Sequence, residues 1–446
     1  MYINWFGSSK MIIIKNFSSN FILRRLANLQ FAIGMLLLIG ILIAIGTFIE
    51  QDQSIVFYQT NYPESQPIFG FVDWRFIYFL SLNKIYTSYW FAFILFVFAS
   101  SLIACTFTTQ LPLLKKFKLW QFRKNSKQFE QLNSVNIQDA SANNLAFKVH
   151  KKNYHLFRQN EKTYAYSGLL GRVGPIFVHF SILFLIIGST WSAFNGYTAQ
   201  QIIPRGEIFH VQNLLKSGNI SYIPQSFSWR VNDFWITYTN EFRTNQFYSD
   251  LSLLDNSGFE IKRKTIFVNE PFIYNGITLY QTDWDVLGLK IKINANQTIQ
   301  VPLKKINTTG RKVWIGSVPI TLNNGIKTNY IILINDLFGN LFLYDNEGKL
   351  IQESVIGQPI KINSQTSVTF SEFITTTGLQ IKTDSGIPLV YFSFFLLMVS
   401  VYISFISYSQ IWQVEALTNL VVGGKSNRAV LYFQEELKRL VQKPKN

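Results

Sequence analysis

Cysteine is almost absent from this chain. One residue, Cys105, occurs among 446. A single thiol excludes a disulfide framework, a cysteine zinc site and an iron–sulfur cluster. It also excludes a c-type cytochrome, because no Cys-x-x-Cys-His stands anywhere. Charge is scarce as well. Charged residues make up 15% of the chain against the ~25% usual in soluble proteins. Histidine is limited to His150, His155, His179 and His210. No nucleophile with an adjacent base, paired-carboxylate site or phosphate loop is visible. A self-sufficient enzyme is therefore not expected.

What the chain has instead is long apolar runs. Stretches 29–49, 90–107, 173–194 and 387–408 hold no Asp, Glu, Lys or Arg. Each is near the ~20 residues that a helix needs to cross a bilayer. The expected fold is a polytopic α-helical membrane protein with four transmembrane helices. A fifth apolar stretch, Phe71–Leu82, is interrupted by Asp73 and Arg75 and reads as an interfacial or re-entrant segment.

Charge partition sets an expected topology. Net charge is +4 over 1–28, −2 over 50–89, +9 over 108–172, +2 over 195–386 and +3 over 409–446. Positive segments stay on the side of synthesis. The N-terminus 1–28, the basic loop 108–172 and the tail 409–446 are thus expected inside, and 50–89 and 195–386 outside. Topology accounts for the basic excess, so no nucleic-acid partner is expected. The run Lys115, Lys116, Lys118, Arg123, Lys124, Lys127 is expected to rest on anionic membrane lipids. Residues 1–28 lack a compact apolar core with a small-residue cleavage site, so the first span is expected to direct its own insertion. Richness in Phe, Ile, Asn, Lys and Tyr suggests an AT-rich genome such as a plastid's.

Residues 195–386 read as a large β-rich soluble domain between the third and fourth helices. Strand-like runs occur at 226–239, 262–268, 277–282, 289–293, 313–321, 330–334 and 368–373. Turn signals separate them at Asn256-Ser257-Gly258, Asn275-Gly276, Asn324-Gly325 and Asp345–Gly348. A sandwich or open barrel is expected, with Trp229, Trp235, Tyr280 and Trp284 in its core or a groove. In the tail, Val430, Phe433, Leu437, Leu440 and Val441 form one helical stripe, expected to lie on the membrane.

His179 stands out among the histidines. It lies six residues into the third span, about 9 Å along at 1.5 Å per residue. An ionisable group in hydrocarbon is costly, and two readings stand side by side. A neutral imidazole suits haem iron as an axial ligand, and it equally suits a hydrogen bond to a Ser or Thr of a neighbouring helix. Just before it, Gly174 permits close approach of a helix or a flat ligand. Arg172 sits at the rim, where it can snorkel or meet a carboxylate or lipid phosphate. His150, His155 and His210 read as surface residues.

The sequence resembles the ResB-type subunit of the system II cytochrome c maturation machinery, in its plastid and cyanobacterial form. The resemblance rests on Arg25–Leu29, Ile45–Gln51, Phe57-Tyr58 and Tyr62-Pro63. It continues through Gly171, Gly174-Pro175, Val178–Ser181 and Gly188, then Phe247–Leu251, Val268–Pro271 and Gly276–Trp284. It implies a non-autonomous subunit of a cytochrome c haem lyase (synthase) complex that attaches haem to apocytochromes c, such as cytochrome f and soluble thylakoid cytochromes. It further implies a CcsA-type haem-handling partner and haem b in transit, with His179 as axial ligand and Arg172 and Gly174 beside it. The implied location is a plastid thylakoid with the large domain in the lumen, or a cyanobacterial thylakoid or plasma membrane. A scaffold that binds no haem and a small-molecule transporter subunit are the competing functions.

Overall fold

The computed structural model describes residues 21–441, apart from 124–125, 130–131, 139–141, 240–243, 295–296, 309–310, 322–326, 336–337, 363–365 and 416–418. The expectations for residues 1–20, Lys124, the Asn324-Gly325 turn and the chain beyond Val441 lie outside the described residues.

Four helices among the described residues are long and apolar enough to cross a membrane. We label them α1 (Leu29–Phe48), α2 (Tyr89–Cys105), α3 (Gly174–Asn195) and α4 (Ile387–Ser404). The large β-rich domain lies between α3 and α4 in sequence, as expected. Helix α2 does not stop at the end of the apolar run. It passes through a π-helical turn, Thr106–Gln110, into a further helix, Leu111–Lys118. Helix α4 ends at Ser404, short of the expected Tyr408. Tyr408 instead packs on Phe117, with ring centroids 5.1 Å apart. Ile39, Phe98, Leu102 and Leu183 tie α1, α2 and α3 together. Most other apolar side chains of α1 and α4 are exposed, as suits helices surrounded by hydrocarbon.

The stretch 71–82 contributes a short helix, Trp74–Phe79, inside a compact cap on α1 and α2. Asp73, which broke the apolar pattern, caps this helix by accepting from the Phe76 amide at 2.7 Å. Arg75 pairs with Glu64 at 2.8 Å.

The chain divides into two compact units, residues 1–193 with 386–446, and residues 194–385. The first unit holds a sheet that the sequence reading missed. Its five strands come from both the basic loop and the tail: Asn133–Gln138, His155–Gln159, Lys162–Ser167, Ser409–Glu415 and Asn419–Ser426. Ser409–Glu415 pairs antiparallel with Lys162–Ser167, and Asn133–Gln138 with Asn419–Ser426. Segments that share a sheet lie on the same side of the membrane. The tail helix α5 (Val430–Val441) buries Phe433, Leu437 and Leu440 on this sheet with Leu145, Val149 and Val422. The stripe expected to meet lipid therefore meets protein.

The second unit is antiparallel β throughout. Strands Ile277–Ile293 and Ser367–Thr383 form the spine of a seven-stranded sheet. One half of this sheet packs with a four-stranded sheet through Leu279, Leu379, Ile381, Trp229 and Leu251. The other half packs with a five-stranded sheet through Leu289, Ile291, Phe370, Trp314 and Ile332. Two sandwiches thus share two long strands. The runs expected at 277–282 and 289–293 are one strand. Register shifts at Gln281/Asp283 and Val286/Gly288 mark the passage between the sandwiches, where bulges redirect the faces. The expected Asn275-Gly276 turn closes a hairpin with φ of 46° and 80°.

Candidate functional site

The third span meets the second at His179. The imidazole is half-buried, and both of its nitrogens are engaged. Nδ1 lies 2.9 Å from Thr106 Oγ1, and Nε2 lies 3.0 Å from Gln110 Nε2. The Thr106 hydroxyl has one proton, and it donates to the Leu102 carbonyl at 2.8 Å. Thr106 Oγ1 must then accept from His179 Nδ1–H. That assigns the neutral tautomer with the lone pair on Nε2, where the Gln110 amide N–H donates to it.

Thr106 and Gln110 open and close the π-helical turn, and residues four apart on a helix share a face, so both present side chains toward α3. Single π-helical turns inside α-helices occur frequently at functional sites. The network is incomplete, because Gln110 Oε1 is buried without a hydrogen-bond partner. Sequence reasoning missed both residues, having placed the end of the span at 107. The available signal was the polar run Thr106-Phe107-Thr108-Thr109-Gln110 following charge-free hydrocarbon.

Gly174 is the close-approach residue expected, and its neighbour is a helix. A Cβ there would lie 2.2 Å from Ser404 Oγ and 2.8 Å from Ser404 Cα. Gly171 sits against the Ile406 carbonyl, and Gly188 against Val390 and Gly386. Of the two occupants left open by the sequence, α4 is packed against Gly174. Arg172 stacks its guanidinium over Phe117 at 4.2 Å and Tyr408 at 5.1 Å. Its buried Nε has no hydrogen-bond partner. Among the described residues no carboxylate pairs with it. Burial lowers the Arg172 pKa from its ordinary value, and burial with the neighbouring Tyr164 raises that of Tyr408.

The remaining histidines are exposed, and among the described residues no group of three or more His, Cys, Asp or Glu side chains is arranged to hold a metal ion. An apolar groove of about 990 Å³ lies between the end of α1 and the cap, lined by Leu42, Ile45, Phe48, Tyr62, Val72 and Trp90 among others. It does not include His179. Sixteen residues of helix separate Trp90 from Thr106, about 24 Å at 1.5 Å per residue. In the β-rich unit, Trp229 is fully buried, and Trp284 stacks between Phe234 and Trp314. Trp235 and Tyr280, also expected in core or groove, are exposed to 39% and 38%.

Comparison with known proteins agrees with this architecture. The ResB-like family matches residues 29–330 and 340–438. The chain is 58% identical to the cytochrome c biogenesis protein Ccs1 of Emiliania huxleyi, over 94% of this chain and 96% of that protein. It is 44% identical to the Ccs1 of Pyropia yezoensis, over 94% and 95% of the two chains. It is 40% identical to the cytochrome c biogenesis protein CcsB of Trichormus variabilis, over 94% and 91%. With four apolar helices, a β-rich domain between the last two, and matches across nearly its whole length, the chain belongs to the ResB-like family.

Proposed function

We propose that this protein acts in the biogenesis of c-type cytochromes, as a non-autonomous membrane subunit of a haem-attaching synthase complex, with His179 as an axial ligand for haem b in transit. The names of its relatives support the first part. One observation carries the second. His179 is held between two spans in the neutral tautomer, with the Nε2 lone pair directed across the interface. A neutral imidazole nitrogen in this state is what haem iron takes as an axial ligand. The backbone-anchored Thr106 fixes the ring through Nδ1, as outer partners of ligating histidines commonly do.

Arg172 is the proposed partner of a haem carboxylate, since its aromatic stack leaves Nε unpaired. Gly174 serves by letting α3 start against α4, which sets the position of both side chains. Thioether formation on an apocytochrome needs reduced thiols, and the one cysteine here lies in the membrane run, so thiol reduction falls to other factors. Attachment itself is assigned to a CcsA-type partner, and the β-rich domain to reception of apocytochromes on the outer side. The algal and cyanobacterial relatives support a thylakoid membrane, and the charge partition of the flanking segments is the support for that domain in the lumen.

A scaffold reading is also supported by an observation, because both imidazole nitrogens are satisfied without any ligand. His179→Gln separates the two. Glutamine can hydrogen-bond both Thr106 and Gln110 yet ligates haem iron poorly. The expected outcome is near-normal protein in the membrane, no holocytochrome by haem staining, and loss of the haem absorbance of the complex purified with its partner. Normal cytochrome assembly would establish the scaffold and remove the ligand assignment.

A further inference from the structure

We infer that Gln110 is the group that haem iron must displace to reach His179, so that its side chain, at the end of the π-helical turn of the second span, acts as a latch on the ligand. This rests on the proposed ligation by His179 and goes beyond it by assigning the resting state of the site. The two ring nitrogens are not equivalent. Nδ1 is held by Thr106, whose own hydroxyl is tied to the Leu102 carbonyl at 2.8 Å. Freeing Nδ1 would break a chain anchored to the helix backbone. Nε2 is held only by the terminal amide of Gln110, at 3.0 Å. A lone pair given to iron cannot also accept from Gln110, because both would lie along one direction.

The Gln110 end is also the weaker of the two. Its Oε1 is buried and has no partner, so the amide makes one of its bonds while the other side remains unsatisfied. Its residue closes the π-helical turn. Iron arriving at Nε2 thus replaces one neutral hydrogen bond, and Thr106 remains as a positioning residue. The latch keeps the imidazole neutral, oriented and blocked until haem arrives.

The test uses the full chain copurified with its partner in detergent, comparing the wild type with Gln110→Leu, Gln110→Met and Thr106→Val. Two measurements are made. The first is labelling of His179 by diethyl pyrocarbonate, followed by mass spectrometry of the peptide without added haem. The reagent attacks the imidazole lone pair, so removing the cap should speed labelling by about fivefold, the worth of one ordinary hydrogen bond. The second is titration with ferric haem by absorbance. Both Gln110 variants should bind about fivefold more tightly, and Thr106→Val about tenfold more weakly, since it loses the outer partner that orients the ring. Unchanged labelling in both Gln110 variants would overturn the latch whatever haem does. Faster labelling with unchanged or weaker haem binding would overturn displacement by iron. Neither result bears on ligation by His179, which is read separately from haem loss in His179→Gln.

Discussion

Two glutamines sit in buried polar clusters, one in each unit, and they end differently. In the β-rich unit, Gln281 Oε1 accepts from the Ser249 hydroxyl and lies 3.0 Å from the Thr377 hydroxyl, while its Nε2 donates to the Asp283 carbonyl at 3.0 Å. Ser249 and Thr377 are fully buried, and both ends of the amide are used. In the membrane unit, Gln110 uses one end only. A complete network in a dry core specifies structure, and removing a member costs stability. An incomplete one beside an ionisable residue in hydrocarbon keeps an acceptor unsatisfied. The comparison separates a buried polar network that is closed on itself from one that is left open.

The sharpest way to break that contrast is to delete one polar group on each side. His179→Gln should abolish c-type cytochrome assembly while leaving the protein in the membrane. Gln281→Leu should do the reverse in kind, leaving the buried Ser249 and Thr377 hydroxyls only each other at 2.7 Å, so that one donor is unsatisfied at roughly 1–3 kcal/mol and protein abundance falls first. Immunoblots of membranes beside haem-stained gels read both. A Gln281→Leu protein present at full level would show that its network is not structural.

Next in size is the helix seam that positions the histidine. A Cβ on Gly171 would lie 1.9 Å from the Ile406 carbonyl, a backbone atom that cannot swing aside. Gly171→Val should therefore reduce accumulation of the protein severely. Gly40→Val, where a Cβ meets nothing within 4 Å, should be tolerated. Equal levels of the two variants would remove the α3–α4 seam from the account of the site.

The aromatic residues of the β-rich unit sharpen the contrast from the other side. Trp229→Ala removes a fully buried ring and should cost about 3–5 kcal/mol, read as lost abundance and lower thermal stability. Trp235→Ala removes a ring that is 39% exposed and stacked on Tyr248 at 5.4 Å. Its stability cost should be smaller. A large loss of cytochrome assembly with Trp235→Ala at normal protein level would mark that face as a contact for apocytochrome.

These residues also show what can be read before a structure. The spans were legible because twenty charge-free residues have few other uses, and His179 was legible because it broke such a run. Much of the β-rich domain was legible through its β-branched and aromatic runs and through turns such as Asn275-Gly276. The loop–tail sheet was not. Lys162–Ser167 and Ser409–Glu415 pair across more than two hundred residues, and a short amphipathic strand carries no mark of so distant a partner. The α5 stripe was visible, but a stripe does not say whether lipid or protein covers it. Residues 283–288 fell between two expected runs because Asp283, Asp285 and Gly288 mask a strand that continues through bulges. At the site, Thr106 was hidden by being counted as the end of a span and Gln110 by falling beyond it, whereas the helix continues through both.

The smallest expected effect belongs to the surface of the β-rich unit. Glu372 is met by Lys290 at 2.9 Å and by Arg205 at 3.1 Å. The hydrogen bond from Lys290 is the main reason that its pKa lies below the ordinary glutamate value, with Arg205 adding to it. A carboxylate with a depressed folded pKa contributes stability at pH above its unfolded value, and loses it as pH falls through the folded one. The pair is partly exposed, so the contribution is about 1 kcal/mol or less and is screened by salt. In thermal unfolding of the full chain, Glu372→Gln should be slightly less stable than the wild type at pH 7. The gap should shrink as pH falls below the ordinary glutamate range of about 4.3, and it should narrow in high salt. Because this network is solvated, its loss should leave cytochrome assembly unchanged, in contrast to the effect of His179→Gln. A Glu372→Gln variant with intact stability but impaired assembly would move Arg205 and Lys290 from a structural pair to a docking surface for an acidic partner.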